Sequence, residues 1–248
     1  MQARLSDLEE ELADRELDLA TRRRELLDFQ LRYLAIVGTR LTELDRVEAQ
    51  IAALWAARNP SPEARRAAAD SAARARASRE ELGDDPEALA RAASQPQPEI
   101  PEDLKKLFRQ VAKAVHPDLA ACEEERALRE RLMAEANAAY GAGDAARLRA
   151  ILDDWQSRPE AVSGDGIGAD LIRAIRAVAA IEARLTALVL EIDLFSEGEL
   201  AELHAQAAQA ESAGRDLLRE LADEVEARIA AARLRLQSMA SAAENDLG

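Results

Sequence analysis

From Leu5 to Trp55 apolar residues recur at helical spacing. Leu5, Leu12, Leu19 and Leu26 keep a seven-residue register with Leu8 beside them, and Phe29, Tyr33 and Ile36 extend the stripe. Val37, Leu41, Leu44, Ile51 and Leu54 carry a shifted register onward. Steps of three and four sustained over this length predict an amphipathic helix that needs a partner. At 1.5 Å per residue it would reach about 80 Å. It ends at Asn59-Pro60, and Ser61-Pro62-Glu63 reads as a helix cap, a proline at the first helical position and an acid in the first turn. The Ala/Arg stretch from Ala64 to Leu82 has helix propensity but little apolar face, and predicts a spacer helix.

Gly83-Asp84-Asp85-Pro86 restarts the chain into a short helix from Pro86 to Ala93, and the Pro-rich segment from Ser94 to Pro101 is a loop. The next helix runs from Pro101 to His116. Leu104, Leu107, Phe108, Val111 and Val115 form one apolar stripe, with Glu102 and Asp103 in the first turn as the macrodipole favours. Pro117 stops it. A following helix carries Leu128, Leu132, Met133, Ala136 and Tyr140. Gly141-Ala142-Gly143 breaks that helix, and Asp144 caps another with Leu148, Ile151, Leu152 and Trp155. After a linker, Leu171, Ile175, Val178, Ile181, Leu185, Leu188 and Ile192 lie on one helix. A turn near Ser196-Glu197-Gly198 leads to a second, with Leu200, Leu203, Leu218, Leu221, Val225, Ile229 and Leu236. Two helices joined by a short turn are expected to fold back as an antiparallel hairpin.

Composition agrees. All eight prolines lie between Pro60 and Pro159, so two proline-free arms enclose a punctuated middle. Alanine is the commonest of the 248 residues, aromatics supply 3% and charged residues 33%, which fits long helices and excludes a sheet protein. The predicted fold is all-α, with long coiled-coil helices flanking a small helical module. The expected division is an N-terminal coiled-coil helix (1–58), an Ala/Arg-rich helix with Pro-rich linker (61–98), the module (99–155), a linker (156–167) and the C-terminal hairpin (168–245).

A net charge of −15 argues against nucleic acid or anionic lipid as partner. One cysteine, Cys122, allows no internal disulfide or thiolate cluster, and no activating base is identifiable beside it. No run of eighteen apolar residues exists, so no membrane span is expected, and the acidic start from Met1 to Glu11 is unlike a signal peptide. The expected compartment is the cytoplasm. Within this acidic chain the only three lysines are Lys105, Lys106 and Lys113, and with Arg109 they make Leu104–Pro117 a basic stretch without an acid. That is a local field reversal. Arg22, Arg23 and Arg24, by contrast, read as a solvated patch.

The sharpest chemical signal is His116-Pro117-Asp118, a tripeptide that chance alone would place in roughly one chain in a hundred of this length. The segment Leu104-Lys105-Lys106-Leu107-Phe108-Arg109-Gln110-Val111-Ala112-Lys113-Ala114-Val115-His116-Pro117-Asp118 resembles the second helix and signature loop of the J domain of DnaJ-type co-chaperones. Leu132-Met133-Ala134-Glu135-Ala136-Asn137-Ala138-Ala139-Tyr140 is similar to the end of that family's third helix. The resemblance spans roughly residues 86 to 155. It implies that His116, Pro117, Asp118, Lys105, Lys106, Arg109 and Lys113 engage a DnaK-type chaperone ATPase and stimulate its ATP hydrolysis. A proline-stiffened, exposed loop would present its flanking His and Asp at low entropic cost, and a basic stripe would orient an acidic partner.

The family's first-helix pattern is absent, and Pro86 to Ala93 with Leu89 is the candidate substitute. No Gly/Phe-rich linker or repeated Cys-x-x-Cys module follows. The order of helical arm, J-like module, linker and helices resembles bacterial J-domain proteins with coiled-coil flanks. This points to a non-enzymatic co-chaperone without cofactor or metal, whose arms bind an unidentified client or pair with a second copy. The competing reading is a coiled-coil adaptor whose J-like module is only structural. Other residues read as packing or linker. His204 is a surface or packing histidine, Phe108, Tyr140 and Trp155 are core, and Gly164-Asp165-Gly166-Ile167-Gly168 is a linker rather than a phosphate cradle because no strand precedes it.

Overall fold

The structure, a computed structural model, describes residues 2–83, 85–94, 100–120, 122–157 and 167–245. No strand occurs among them, and the fold is all-α as predicted. The chain begins with α1 (Gln2–Tyr33), which passes through a π-helical turn (Leu34–Gly38) into α2 (Thr39–Arg58). That turn explains the shift of hydrophobic register after Tyr33, because a wider i→i+5 turn takes up extra residues without ending the helix. Helix α2 stops before Pro60. Ser61 then caps α3 (Pro62–Leu82) by accepting the Ala64 N–H at 3.1 Å, with Pro62 in the first turn. There follow α4 (Pro86–Ser94), α5 (Glu102–Val115), a 3-10 turn (Pro117–Leu119), α6 (Glu123–Ala142), α7 (Ala145–Gln156), α8 (Ile167–Ser196), α9 (Glu199–Ser212) and α10 (Leu217–Asn245). The linker glycines Gly164 and Gly166 lie outside the described residues.

The chain forms two compact units, each assembled from both arms rather than from consecutive segments. The first comprises Met1–Leu26 and Pro98–Ala201. Its main core joins Leu104, Phe108, Val111 and Val115 of α5 to Met133, Ala136 and Tyr140 of α6 and Leu148, Ile151 and Trp155 of α7. Phe108 and Tyr140 are fully buried, their ring centroids 4.8 Å apart. The fourth wall of this core is α1, through Ala13, Leu17 and Ala20. Here the expectation for Pro86 to Ala93 needs correction. Helix α4 belongs to the second unit, where it packs on the Leu34–Gly38 turn, and the place beside α5 and α6 is taken by α1. The physical reason is length: nine residues rich in alanine bury little, whereas α1 offers successive turns of an apolar stripe.

The opposite flank of α1 packs on α8 through Leu12, Leu19, Ile181 and Leu188, with Leu119 of the 3-10 turn at the edge of the same cluster. The helices run parallel, since Glu16 meets Arg184 and Arg23 meets Glu191. Arg23 also lies over the Phe195 ring, and Arg24 is buried, donating to the Tyr140 carbonyl at 3.1 Å. Of the three arginines read as a solvated patch, only Arg22 is exposed.

The second unit comprises Leu27–Gln97 and Glu202–Gly248. Leu44, Val47 and Ile51 of α2 are buried with Ala222, Val225 and Ile229 of α10 and Ala64 of α3. Helix α3 is therefore not a spacer. It lies along α2, where alanines permit close approach and Thr42 donates to the Ser78 carbonyl at 3.2 Å. Helix α10 also packs on α2, in parallel, with Arg40 beside Glu226 and Glu43 beside Arg233. The expected antiparallel hairpin of the C-terminal arm falls across the two units, α8 lying in the first and α10 in the second. Helix α8 spends its apolar face on α1 and α10 spends its own on α2. The second arm is also broken where no turn was expected: Gly214, at φ +75°, stops α9, and Asp216 restarts the chain by accepting the Arg219 N–H. His204 packs against Phe29, ring centroids 4.9 Å apart.

Candidate functional site

Helix α5 ends where it does because His116 precedes a proline, which pushes its backbone to φ −63°, ψ 132° and out of the helix. The next three residues close a 3-10 turn, with Leu119 N–H donating to the His116 carbonyl and Ala120 N–H to that of Pro117, both at 3.1 Å. From α6, Arg129 reaches back under this turn. Its Nη1 donates to the carbonyls of Ala114 at 3.1 Å and His116 at 3.2 Å, and Nε to Glu125 at 2.9 Å. Its guanidinium lies 4.4 Å from the Trp155 ring centroid. One buried arginine thereby satisfies the open carbonyls at the end of α5 and joins loop, α6 and α7.

The loop histidine is not exposed. The His116 side chain is 2% accessible. Its Nδ1 accepts the Asp118 N–H at 3.2 Å, and since a backbone N–H can only donate, the ring proton resides on Nε2. Nε2 donates to Glu16 Oε1 of α1 at 3.2 Å. The same carboxylate oxygen accepts Nε and Nη2 of Arg184 from α8, at 2.9 and 2.8 Å. Burial acts to raise the Glu16 carboxyl, but the His116 hydrogen bond and the charge and hydrogen bonds of Arg184 outweigh it and hold its pKa below the usual carboxylate value. Glu16 and Arg184 are opposite in charge, and the imidazole completes the network. Asp118 and Pro117 are partly covered, with Asp118 Oδ2 3.7 Å from His116 Nδ1.

The basic stripe is engaged as well. Lys105 and Lys106 pair with Glu102 and Asp103 of their own first turn, at 2.7 and 3.7 Å. Arg109 bonds to Asp14 of α1, and Lys113 lies 3.3 Å from Glu10 of α1. The expected field reversal is therefore compensated, for Lys105 and Lys106 by the first turn of α5 and for Arg109 and Lys113 by α1. Lys106, 67% accessible, is the most open of the four. All seven residues singled out from the sequence lie on α5 and its loop, beside three acids of α1 that were not singled out: Glu10, Asp14 and Glu16. Arg129 and Arg184 were missed too. Arg129 stands three and four residues before Leu132 and Met133, on the apolar phase of α6, and that was its available signal.

Outside this cluster the chemistry is sparse. Cys122 is exposed, and no group of three or more metal-ligating side chains occurs among the described residues. No helix among them is long and apolar enough to cross a membrane. In the second unit a cleft of about 580 Å³ is lined by Ile51, Trp55, Ala64, Ala67, Ala231 and Arg235 among others. No family model, curated protein or solved structure matches the chain.

Proposed function

We propose that the chain is a non-enzymatic co-chaperone whose His116-Pro117-Asp118 loop and basic α5 face engage a DnaK-type ATPase and stimulate its ATP hydrolysis. The observation that carries this reading is the continuity of a basic helix with a loop held from behind. Arg129 fixes the carbonyls of Ala114 and His116, Pro117 fixes the turn, and Lys106, Arg109 and Lys113 stand on the flank of α5 away from its apolar stripe. A preorganised loop beside cations suits recognition of an acidic protein surface, where orientation and association rate matter more than area. The arms would hold a client, and the Trp55-lined cleft is the apolar concavity that suits such a role. The compartment that goes with this reading is the cytoplasm.

A second reading draws on the burial of His116: a coiled-coil adaptor in which the imidazole is an internal strut between α5 and α1. The two separate in one measurement. In single-turnover ATP hydrolysis by a DnaK-type ATPase, His116→Gln is expected to remove stimulation while circular dichroism stays helical. Stimulation that survives the substitution in a folded chain overturns the co-chaperone reading.

A further inference from the structure

We propose that α1 is a built-in occupant of the face that would receive the ATPase, so that the site is self-occluded until α1 is displaced; this rests on the co-chaperone reading above. Three contacts carry the inference, and each joins one carboxylate of α1 to one element of the proposed binding face. Glu10 pairs with Lys113, Asp14 with Arg109, and Glu16 with His116. Spacings of four and two residues place the first two along one edge of α1 and turn the third inward. An acidic helical strip therefore meets the basic stripe and the loop together. Such a strip is also the chemistry a basic stripe would seek in a partner, so α1 stands in for the partner's surface.

The unequal burial of the three acids gives the occlusion its structure. The side chains of Asp14 and Glu10 are 59% and 72% accessible, and their ion pairs are exposed to solvent and salt. Glu16 is 5% accessible and is held by Arg184 of α8 as well as by His116. The outer two contacts are readily exchanged for equivalent contacts with an incoming acidic surface, while the inner one keeps the imidazole from reaching it. Helix α8 completes the cover, since Leu119 of the loop packs at the edge of the α1/α8 cluster. A binding face that is open only part of the time shows an apparent affinity reduced by the open fraction.

The test uses the full chain and a purified DnaK-type ATPase loaded with ATP, reading single-turnover hydrolysis against co-chaperone concentration. Neutralising the three facing acids by Glu10→Gln, Asp14→Asn and Glu16→Gln is expected to lower the half-maximal concentration roughly ten-fold. Adding His116→Gln to that variant should abolish the gain. The exposed pair Glu10→Gln/Asp14→Asn should move part of the way, and it decides the matter if the buried Glu16→Gln change unfolds the chain. A matched neutralisation on exposed acids of the same helix, Glu11→Gln/Asp18→Asn, should leave the half-maximal concentration at the wild-type value. Wild-type chain and facing-acid variants that stimulate with the same half-maximal concentration overturn the occlusion and leave the co-chaperone reading standing. Equal gains from facing and non-facing acids also overturn it, because the effect is then one of net charge. Absence of stimulation in every folded variant overturns both.

Discussion

Both units are built on a parallel pair of helices, one from each arm, yet the two pairs use polar groups in opposite ways. Between α2 and α10 the buried contacts are apolar, with Val47 and Ile229 each 1% exposed. The charged contacts Glu43–Arg233 and Arg40–Glu226 lie at the surface. Between α1 and α8 an apolar cluster of Leu12, Leu19, Ile181 and Leu188 stands beside a polar one, in which the Arg184 guanidinium and the His116 imidazole share one buried oxygen of Glu16. A buried polar network contributes less net stability than an apolar core of the same volume, because its members lose hydration before they gain each other. What such a network adds is register. Glu16 can lie against His116 only when α1 is at one rotation and one depth. The second unit is thus held by area, and the edge of the first by a specific set of partners.

The comparison breaks most sharply at the core. Phe108→Ala removes a fully buried ring and is expected to cost about 3–5 kcal/mol, measured by denaturant unfolding with amide exchange resolved onto α5 and α6. An effect below about 1 kcal/mol would mean that α1 and α8, not the aromatic core, hold the first unit.

Glu16→Gln comes next, at about 1–3 kcal/mol, since it takes the nearer carboxylate from Arg184 and leaves it only Glu191, 3.5 Å away. Its pH dependence gives the sign. The folded pKa lies below the ordinary value of 4.5, so the stabilisation is present in full above that value and is lost as pH falls through the lower folded pKa. The Tm gap between wild type and Glu16→Gln, present at pH 7, should therefore shrink progressively below pH 4.5. A gap undiminished at pH 3 would assign the effect to packing rather than charge.

The smallest effect belongs to Glu43. Its carboxyl is pulled to about 2, first by hydrogen bonds from Arg46, against some burial, and then by Arg233. Both arginines are more than half exposed, at 56% and 54%, so water and salt screen the attraction. Glu43→Gln should cost under about 1 kcal/mol and become neutral at high salt, as read from urea midpoints. A loss as large as that of Glu16→Gln would remove the distinction between the two pairs.

Much of this was legible where local chemistry decides the outcome. The Ser61-Pro62 cap, the Asp144 cap, the α5 stripe and the burial of Phe108, Tyr140 and Trp155 follow from residue type and helical phase. The partners of the long helices did not, because α1, α2, α8 and α10 all carry apolar stripes and a stripe does not name what it packs against. The turn at Gly214 was hidden inside an alanine-rich run without proline. Within the site, the loop and its cations were readable and their cover was not. Glu16 falls among many carboxylates on α1, and only the fold selects the one that reaches His116. Arg129 carries a charge in the apolar phase of α6, and residue type alone gives no sign that its guanidinium is buried.

The scarcity of lysine has a practical side. Of the 33 Lys and Arg residues, 30 are arginine, and the other three all lie on α5. Reagents and enzymes that acylate side-chain amines therefore have three addresses in the whole molecule, and all of them are on the proposed docking helix. Each has a carboxylate beside it, but Lys106 is the most open to such a reagent, at 67% accessible against 29% for Lys105 and 37% for Lys113. Acetylation would strip positive charge from one helix, and from the Lys113–Glu10 contact with α1, while leaving every arginine-based ion pair of the scaffold intact, so the state of a single face can be written, and read by mass spectrometry.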